Sequence, residues 1–156
     1  MKTCVLILEN LRSVENTGSI FRTAEGLGVS KIILVGTTPT PVDRFGRKRA
    51  DFAKVSLGAE EMLEWEYAKE IAPVLKDLRE QVFQIISLEQ TDASIDLKSF
   101  KPESQFALIV GNEVDGVSKE ALELSDKVVE IEMLGEKESL NVSVSTGIAL
   151  FALMIE

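Results

Sequence analysis

Short apolar runs alternate along the chain with longer amphipathic stretches, and this alternation predicts an α/β fold with a parallel sheet. The predicted strands are rich in aliphatic and β-branched residues and lie at 5–8, 31–35, 82–87, 105–110 and 127–133. The predicted helices lie at about 16–28, at 66–80 with an interruption near Pro73, from Ser118 onward and at 143–155. Segments 37–41 and 89–104 are predicted loops, and 56–63 is expected to contain a short helical turn.

The first and last of these helices carry specific expectations. Asn16 or Thr17 has the side chain of a helix N-cap and would begin the first helix. The last helix, 143–155, is apolar on nearly every side, so we expect it to be buried in the core or at the surface of a partner. Gly147 and Ala149 would allow close packing against a neighbouring element.

Composition narrows the class of protein without identifying it. Hydrophobic residues make up 45% and charged residues 28% of 156 residues, which is ordinary for a globular protein of one domain. No apolar run approaches the roughly 20 residues of a membrane span, and the short apolar N-terminus resembles a strand more than a signal peptide. One cysteine, Cys4, excludes an internal disulfide; we expect it to be buried, in a cytoplasmic protein.

The chain contains no histidine. Serine and cysteine mechanisms that depend on a histidine base are therefore excluded, together with most zinc sites. Any general base must be a carboxylate, a lysine, a tyrosine or the substrate itself, and we expect no metal.

The net charge of −9 is unfavourable for binding nucleic acid, because phosphate contacts dominate such affinity. The charge is unevenly distributed, however. Segment 43–54 contains Phe45, Phe52 and five cations, which are Arg44, Arg47, Lys48, Arg49 and Lys54. This segment is either a solvated face or a surface that contacts nucleic acid.

Three polar segments stand where strands or loops meet predicted helices. Segment 16–22, Asn-Thr-Gly-Ser-Ile-Phe-Arg, would also serve as an ordinary helix start. Segment 111–116, Gly-Asn-Glu-Val-Asp-Gly, follows a buried strand, where α/β proteins bind ligands, although it could be a simple polar turn. It matches neither a P-loop nor a dinucleotide fingerprint. Segment 139–145, Ser-Leu-Asn-Val-Ser-Val-Ser, precedes the last helix and could merely cap it.

In order and spacing, these three segments resemble the motifs of the SpoU (TrmH-type) RNA ribose methyltransferases of the SPOUT class, over nearly the whole chain. The resemblance implies a parallel-sheet fold with a C-terminal trefoil knot and S-adenosyl-L-methionine as cofactor. It places Arg22 on the ribose hydroxyl, with Asn16 orienting that hydroxyl. It also implies that Glu113, Ser139 and Asn141 line the reaction site, while Gly111, Ile131 and Leu140 hold the cofactor.

The resulting prediction is 2′-O-ribose methylation of transfer or ribosomal RNA by a single SPOUT domain, 1–156, without a separate RNA-binding extension. Segment 43–54 would then contact RNA. The resemblance also implies a homodimer, in which Phe151 and Met154 of the last helix would fill the interface. The proton acceptor is left open between Glu113 and an RNA phosphate. The alternative is a knotted dimer that binds S-adenosylmethionine or RNA without turnover.

Overall fold

The computed structural model describes residues 1–155, and its seven strands form a single parallel sheet in the order β3-β2-β1-β6-β4-β7-β5. In chain order they are β1 Thr3–Glu9, β2 Lys31–Val35, β3 Glu64–Ala68, β4 Gln84–Leu88, β5 Ile95–Asp96, β6 Gln105–Val110 and β7 Lys127–Glu130. The predicted fold class, α/β with a parallel sheet, is therefore confirmed.

Helices cover both faces of this sheet, which explains why its central strands are continuous apolar runs. They are α1 Val14–Gly26, α2 Ala50–Ser56, α3 Ala59–Met62, α4 Ile71–Glu80, α5 Lys119–Glu123 and α6 Val142–Met154, with a 3-10 turn at Leu97–Ser99. Alternate residues of β1 enter different cores. Leu6 and Leu8 pack in the core that includes α1 and α6, and Val5 and Ile7 pack in the core that includes α4 and α5.

The predicted helix at 66–80 is wrong in its first part. Glu64–Ala68 forms β3, an edge strand that pairs with β2, and Lys31 joins the two strands through ion pairs with Glu64 and Glu66 at 3.4 and 2.9 Å. The helix α4 begins only at Ile71. Pro73 therefore lies in its first turn, where no backbone N–H is needed, and it causes no interruption.

The start of α1 also differs from the prediction. Ser13 is the N-cap, and its hydroxyl oxygen accepts a hydrogen bond from the backbone N–H of Asn16 at 3.0 Å. Because Ser13 caps the helix, the Asn16 side chain is available for other contacts. The predicted start of α5 at Ser118 is confirmed, since that hydroxyl accepts from the backbone N–H of Ala121 at 3.1 Å.

The last helix, α6, has one face buried in the core and another face exposed. Ala149, Leu150 and Leu153 are fully buried in the core beside α1. A Cβ on Gly147 would lie 3.4 Å from the Thr23 side chain, so this glycine faces α1 of the same chain. Other side chains of α6 remain exposed. Within residues 1–155, no helix has the length and apolar character needed to cross a bilayer.

Candidate active site

The first two polar segments meet through the carboxylate of Glu113. It accepts hydrogen bonds from the backbone N–H of Arg12 at 2.9 Å and of Ser13 at 2.9 Å, and from Asn16 Nδ2 at 3.3 Å. The strands β1 and β6 that precede these residues are neighbours and run in parallel. Their carboxyl ends therefore deliver both segments to the same edge of the sheet.

The third segment joins at the other end of the Asn16 amide. Asn16 Oδ1 accepts a hydrogen bond from Asn141 Nδ2 at 3.2 Å. Asn141 Oδ1 in turn accepts from the backbone N–H groups of Ser143 and Val144 at 2.9 and 3.4 Å and so caps α6. We call Glu113, Asn16 and Asn141 the junction, because this chain of hydrogen bonds links all three segments.

The environment of Glu113 favours its ionised form. Burial alone would raise the pKa of this carboxyl group. The hydrogen bonds donated by the backbone of Arg12 and Ser13 and by the Asn16 amide outweigh that effect, so the pKa of Glu113 is lowered. Glu113 is therefore a charged, fully engaged acceptor at neutral pH.

A cavity of about 360 Å³ opens beside the junction, between the carboxyl ends of β4, β6 and β7. Its volume lies in the range of small-molecule sites. Five residues selected from the sequence line it, namely Gly111, Glu113, Ile131, Ser139 and Leu140. The rest of the wall includes apolar, acidic and neutral polar residues, among them Leu88, Val110, Met133, Val142, Glu89, Glu130 and Gln90.

The cavity rim depends on two glycines for a close backbone approach. A Cβ on Gly111 would lie 2.3 Å from the carbonyl carbon of Gly116, and Gly116 itself has a φ of +71°. A Cβ on Gly116 would lie 2.1 Å from Glu89 Oε2. The same carboxylate oxygen accepts from the backbone N–H of Val117 at 2.9 Å, so Glu89 fastens this turn to the end of β4.

Sequence reasoning missed the acidic residues that hold the turn and α5. Glu9, at the end of β1, is buried and accepts from the backbone N–H and the hydroxyl of Ser118 at 2.9 and 2.7 Å. Glu89 directly follows β4 and acts in the same way. Each is the acidic residue at the carboxyl end of a buried strand, and this position was a usable signal.

Arg22 lies apart from the junction. It is exposed on α1, six residues after Asn16 and hence about 9 Å farther along the helix axis. Within residues 1–155 its guanidinium forms no hydrogen bond or ion pair. Of the five predicted reaction-site residues, Glu113 and Ser139 line the cavity, and Asn16 and Asn141 join the hydrogen-bond chain that starts at Glu113. Arg22 lies apart from all four.

The five cations of segment 43–54 divide into two groups. Arg47 pairs with Asp43 at 2.9 Å, Arg49 pairs with Asp51 at 2.9 Å, and Lys48 pairs with Glu61. In the described part of the chain, Arg44 and Lys54 form no ion pair, and both are exposed. Much of the positive charge that the sequence displays is therefore compensated locally. No cluster of metal-ligating residues is found among residues 1–155.

Known proteins with this fold and sequence pattern were found by comparison. The chain is 33% identical over 150 residues to the 23S rRNA (guanosine-2′-O-)-methyltransferase RlmB of Xanthomonas axonopodis pv. citri, and 32% identical over 147 residues to that of Escherichia coli K12. These alignments cover 96% and 94% of the chain but 57% and 58% of the relatives. The chain thus spans a little over half the length of the curated relatives it matches.

Solved structures agree with this similarity. The A. aeolicus TrmH/SpoU tRNA modifying enzyme superposes with a TM-score of 0.84 at 26% identity, over 99% of this chain and 75% of that one. An AdoMet-bound rRNA methyltransferase from Sinorhizobium meliloti superposes with a TM-score of 0.84 at 25% identity, over 96% and 55%. The model of the SpoU rRNA Methylase family matches residues 3–151. The predicted family is therefore confirmed, and the chain belongs to the SpoU rRNA Methylase family.

Proposed function

We propose that this chain transfers a methyl group from S-adenosyl-L-methionine to a ribose 2′-hydroxyl of RNA. The junction carries the proposal, because it unites three segments far apart in sequence at the rim of a cavity of ligand size. The curated relatives are named for 23S rRNA and one structural neighbour for tRNA. Ribosomal RNA is therefore the first substrate to test, with transfer RNA as the second.

The cavity residues fit the proposed cofactor in chemical character. Leu88, Ile131 and Leu140 offer apolar surface suited to an adenine ring. Glu89 and Glu130 offer carboxylate oxygens suited to ribose hydroxyls or to a positive charge. When bound there, S-adenosylmethionine would supply an electrophilic methyl group. The approach of the Gly111 backbone to Gly116 keeps this side of the cavity free of side-chain atoms.

The residues at the rim have distinct proposed roles. Both polar ends of the Asn16 amide are occupied, so Asn16 is held in one orientation beside the acceptor ribose. Glu113 fixes that orientation. Because its pKa is lowered and several donors occupy its oxygens, Glu113 is a weak base, and we propose that it holds Asn16 while the hydroxyl proton is released to solvent as the new C–O bond forms. Ser139 lines the cavity, and Asn141 holds the other end of the Asn16 amide.

Since Arg22 lies apart from the junction of its own chain, we propose that it contacts the 2′-oxygen at the junction of the second chain in the proposed homodimer, where it would stabilise the negative charge that develops. Its guanidinium has no partner within residues 1–155 and is available for an RNA oxygen. A guanidinium has no acceptor lone pair, so Arg22 cannot be the base. Among the surface cations, we propose that Arg44 and Lys54 contribute more to RNA contact than the paired Arg47, Lys48 and Arg49.

The proposed fold includes the C-terminal trefoil knot of the family. The strands β4 and β5 are consecutive along the chain, yet β7 lies between them in the sheet. The connection 89–94 must therefore cross the end of β7. Gln90 Nε2 donates to the carbonyl oxygen of Glu138 at 2.8 Å, so this connection contacts the segment that leads to α6. A backbone trace from a crystal structure tests the knot. Passage of α6 through that loop supports the knot, and its absence contradicts it.

We also propose a homodimer that forms through the exposed face of α6. Val144, Ile148, Phe151 and Ile155 are 50%, 41%, 60% and 50% exposed. The first three lie along one side of α6, and Ile155 follows directly after the last residue of the helix, so the four form an apolar stripe that water does not favour. We call these four residues the α6 stripe. In the proposed dimer interface, the α6 stripe takes the place that we predicted for Gly147 and Ala149, because those two residues pack against their own chain.

The dimer is tested by light scattering at micromolar concentration. We expect twice the 17.2 kDa mass of one chain, and we expect Phe151→Glu to give a folded monomer. Val82→Glu is a suitable control, because Val82 is 77% exposed on the turn after α4. Leu153→Glu is not informative, since Leu153 lies in the core. A wild-type protein that is monomeric under these conditions contradicts the dimer.

The activity is tested by methyl transfer to total RNA with isotopically labelled S-adenosylmethionine, followed by mass spectrometry of the nucleosides. A 2′-O-methylated nucleoside is the expected product, in a reaction placed in the cytoplasm. Calorimetry with S-adenosylmethionine, NAD and ATP separates this function from a general nucleotide-binding role. Cofactor binding without any methylated product would favour the non-catalytic alternative.

A further inference from the structure

Phe45 stands out among the aromatic residues because its ring is presented to solvent. It is 67% exposed, whereas Phe21, Phe52 and Phe106 are fully buried in the core. It lies at the tip of a turn, 42–49, which we call the basic turn. Val42 and Lys48 close this turn with an antiparallel bridge. An exposed phenyl ring at such a tip has no role in packing the fold.

The basic turn is held rigidly by Asp43. One carboxylate oxygen accepts from the backbone N–H groups of Phe45 and Arg47 at 2.8 and 3.0 Å. The backbone N–H groups of Asp43 and Gly46 donate to carbonyl oxygens within the turn at 2.8 and 2.9 Å, and Gly46 has a φ of +76°. The backbone that carries the Phe45 ring is therefore ordered before any partner arrives.

Two guanidinium groups lie over this ring. The Arg44 and Arg47 carbons Cζ are 4.8 and 5.0 Å from the ring centroid. Arg47 is anchored by Asp43, whose carboxylate oxygen accepts from Nε at 2.9 Å. Arg44 forms no ion pair within residues 1–155. Arg44 can therefore leave the ring, while Arg47 stays beside it.

The basic turn is connected to the same edge of the sheet as the junction. Thr38, which precedes the turn, donates its hydroxyl to the carbonyl of Leu8 at 2.7 Å and accepts from the backbone N–H of Leu11 at 3.1 Å. Leu11 is followed by Arg12 and Ser13, whose backbone N–H groups bind Glu113. The basic turn therefore follows a segment that is fixed at the same edge of the sheet as the junction.

We propose that Phe45 stacks on an unpaired base of the substrate RNA, with Arg44 moving from the ring to a neighbouring phosphate. Stacking on aromatic rings and contacts to phosphates are the two means by which proteins bind single strands. A base inside a duplex does not expose its face. The substrate is therefore single-stranded or looped near the methylated ribose, an inference that rests on the proposed RNA methylation.

The first test compares binding of a fluorescently labelled 12-residue single-stranded RNA with binding of the corresponding duplex. We expect Phe45→Ala to weaken single-strand binding roughly 5- to 150-fold, the usual loss for one stacked base, and to leave duplex binding within about twofold. Phe45→Tyr should restore the affinity and Phe45→Leu should not. Tyr67→Leu, at a half-exposed aromatic on β3, serves as the matched control.

The second test observes the stack directly. The chain has one tryptophan, Trp65, so Phe45→Trp in a Trp65→Phe background places the sole indole at the tip of the basic turn. We expect its fluorescence to be quenched by the single strand and not by the duplex. Equal single-strand affinities for Phe45→Leu and wild type, without quenching of the indole, overturn the stacking role.

These measurements need no cofactor and no turnover, so they separate the two proposals. Wild-type protein that binds the single strand but never methylates RNA refutes the proposed function and leaves the stacking result valid. If the wild type methylates RNA and the Phe45→Ala variant does so with the same efficiency, the stacking proposal is refuted. Failure of wild type to bind the single strand refutes the stacking proposal, and methyl transfer to total RNA still tests the proposed function separately.

Discussion

The junction and the basic turn use similar side chains in opposite ways. In the junction, hydrogen bonds join residues 97 and 125 positions apart, and the bond between Asn16 and Glu113 is partly buried. In the basic turn, Asp43 bonds to groups two and four residues away at the surface. The first arrangement exists only when the whole sheet has formed. The basic turn is a local structure that is attached to the sheet. Changes in the junction should therefore affect catalysis and folding, and changes in the basic turn should affect RNA binding alone.

The largest effect is expected for Asn16→Ala. This change removes the amide that connects Glu113 to Asn141, and we expect methyl transfer to fall about 10²- to 10³-fold, as when one preorganised transition-state donor is lost. S-adenosylmethionine affinity should change little, which calorimetry can measure. Gln81→Ala removes an exposed amide at the end of α4 and is the control. Near-normal turnover of Asn16→Ala would remove the junction from the mechanism.

A smaller but substantial effect is expected for Gly111→Ala. The added Cβ would lie 2.3 Å from the backbone of Gly116, so the cavity rim must shift. Overpacking of this kind costs about 1–3 kcal/mol of unfolding free energy, and S-adenosylmethionine binding should weaken with it. Gly135→Ala is the matched control, because its Cβ would meet no atom within 4 Å. Equal melting temperatures for the two variants would show that the rim tolerates displacement.

Glu113 should make the stability of the junction depend on pH. Its pKa is lowered in the folded state, so its stabilising contribution is complete above the ordinary pKa of a glutamate. That contribution is lost as the pH falls through the lower, folded-state pKa. Urea unfolding of wild type and Glu113→Gln should therefore differ at pH 7 and converge in acid. A difference that stays constant with pH would contradict the charged state assigned to Glu113.

The smallest effect is expected in the salt dependence of RNA affinity, and it concerns cations in and near the basic turn. Replacing Arg44 and Lys54 with Ala should reduce the slope of log affinity against log salt by up to about 0.7–0.9 for each lost phosphate contact. Replacing Lys48 and Arg49 removes the same net charge, but these side chains are paired with Glu61 and Asp51. Their loss should change the slope less. Equal changes for the two pairs would show that the ion pairs open when RNA binds.

The same contrast explains what the sequence could predict about the fold. Central strands such as β1 and β6 are buried on both faces, so their apolar runs identified them directly. The edge strand β3 escaped detection because Glu64 and Glu66 are exposed and its short pattern merges with that of α4. Helix α2 overlaps the end of segment 43–54, and the charges of that segment hid its pattern.

The site was predictable as a set of residues but not as an arrangement. Glu113, Ser139 and Asn141 could be selected from motif order, and the fold places them beside one cavity. No local pattern indicates that Asn16 bonds to both Glu113 and Asn141, because those contacts depend on the sheet order. The sequence also gave no sign that Arg22 lies apart from Asn16, since these two residues belong to one motif of seven residues.

The position of Asn141 at the start of α6 couples two equilibria. Its side chain bonds to Asn16 at the cavity and also caps the helix that carries the α6 stripe. Any ligand that orders the cavity rim therefore also orders the first turn of the helix proposed for self-association. Thermodynamic linkage then requires that ligand binding and dimer formation strengthen each other by the same factor. Dimer dissociation constants measured with and without S-adenosylmethionine give that factor, and equal constants would mean that the two equilibria are independent.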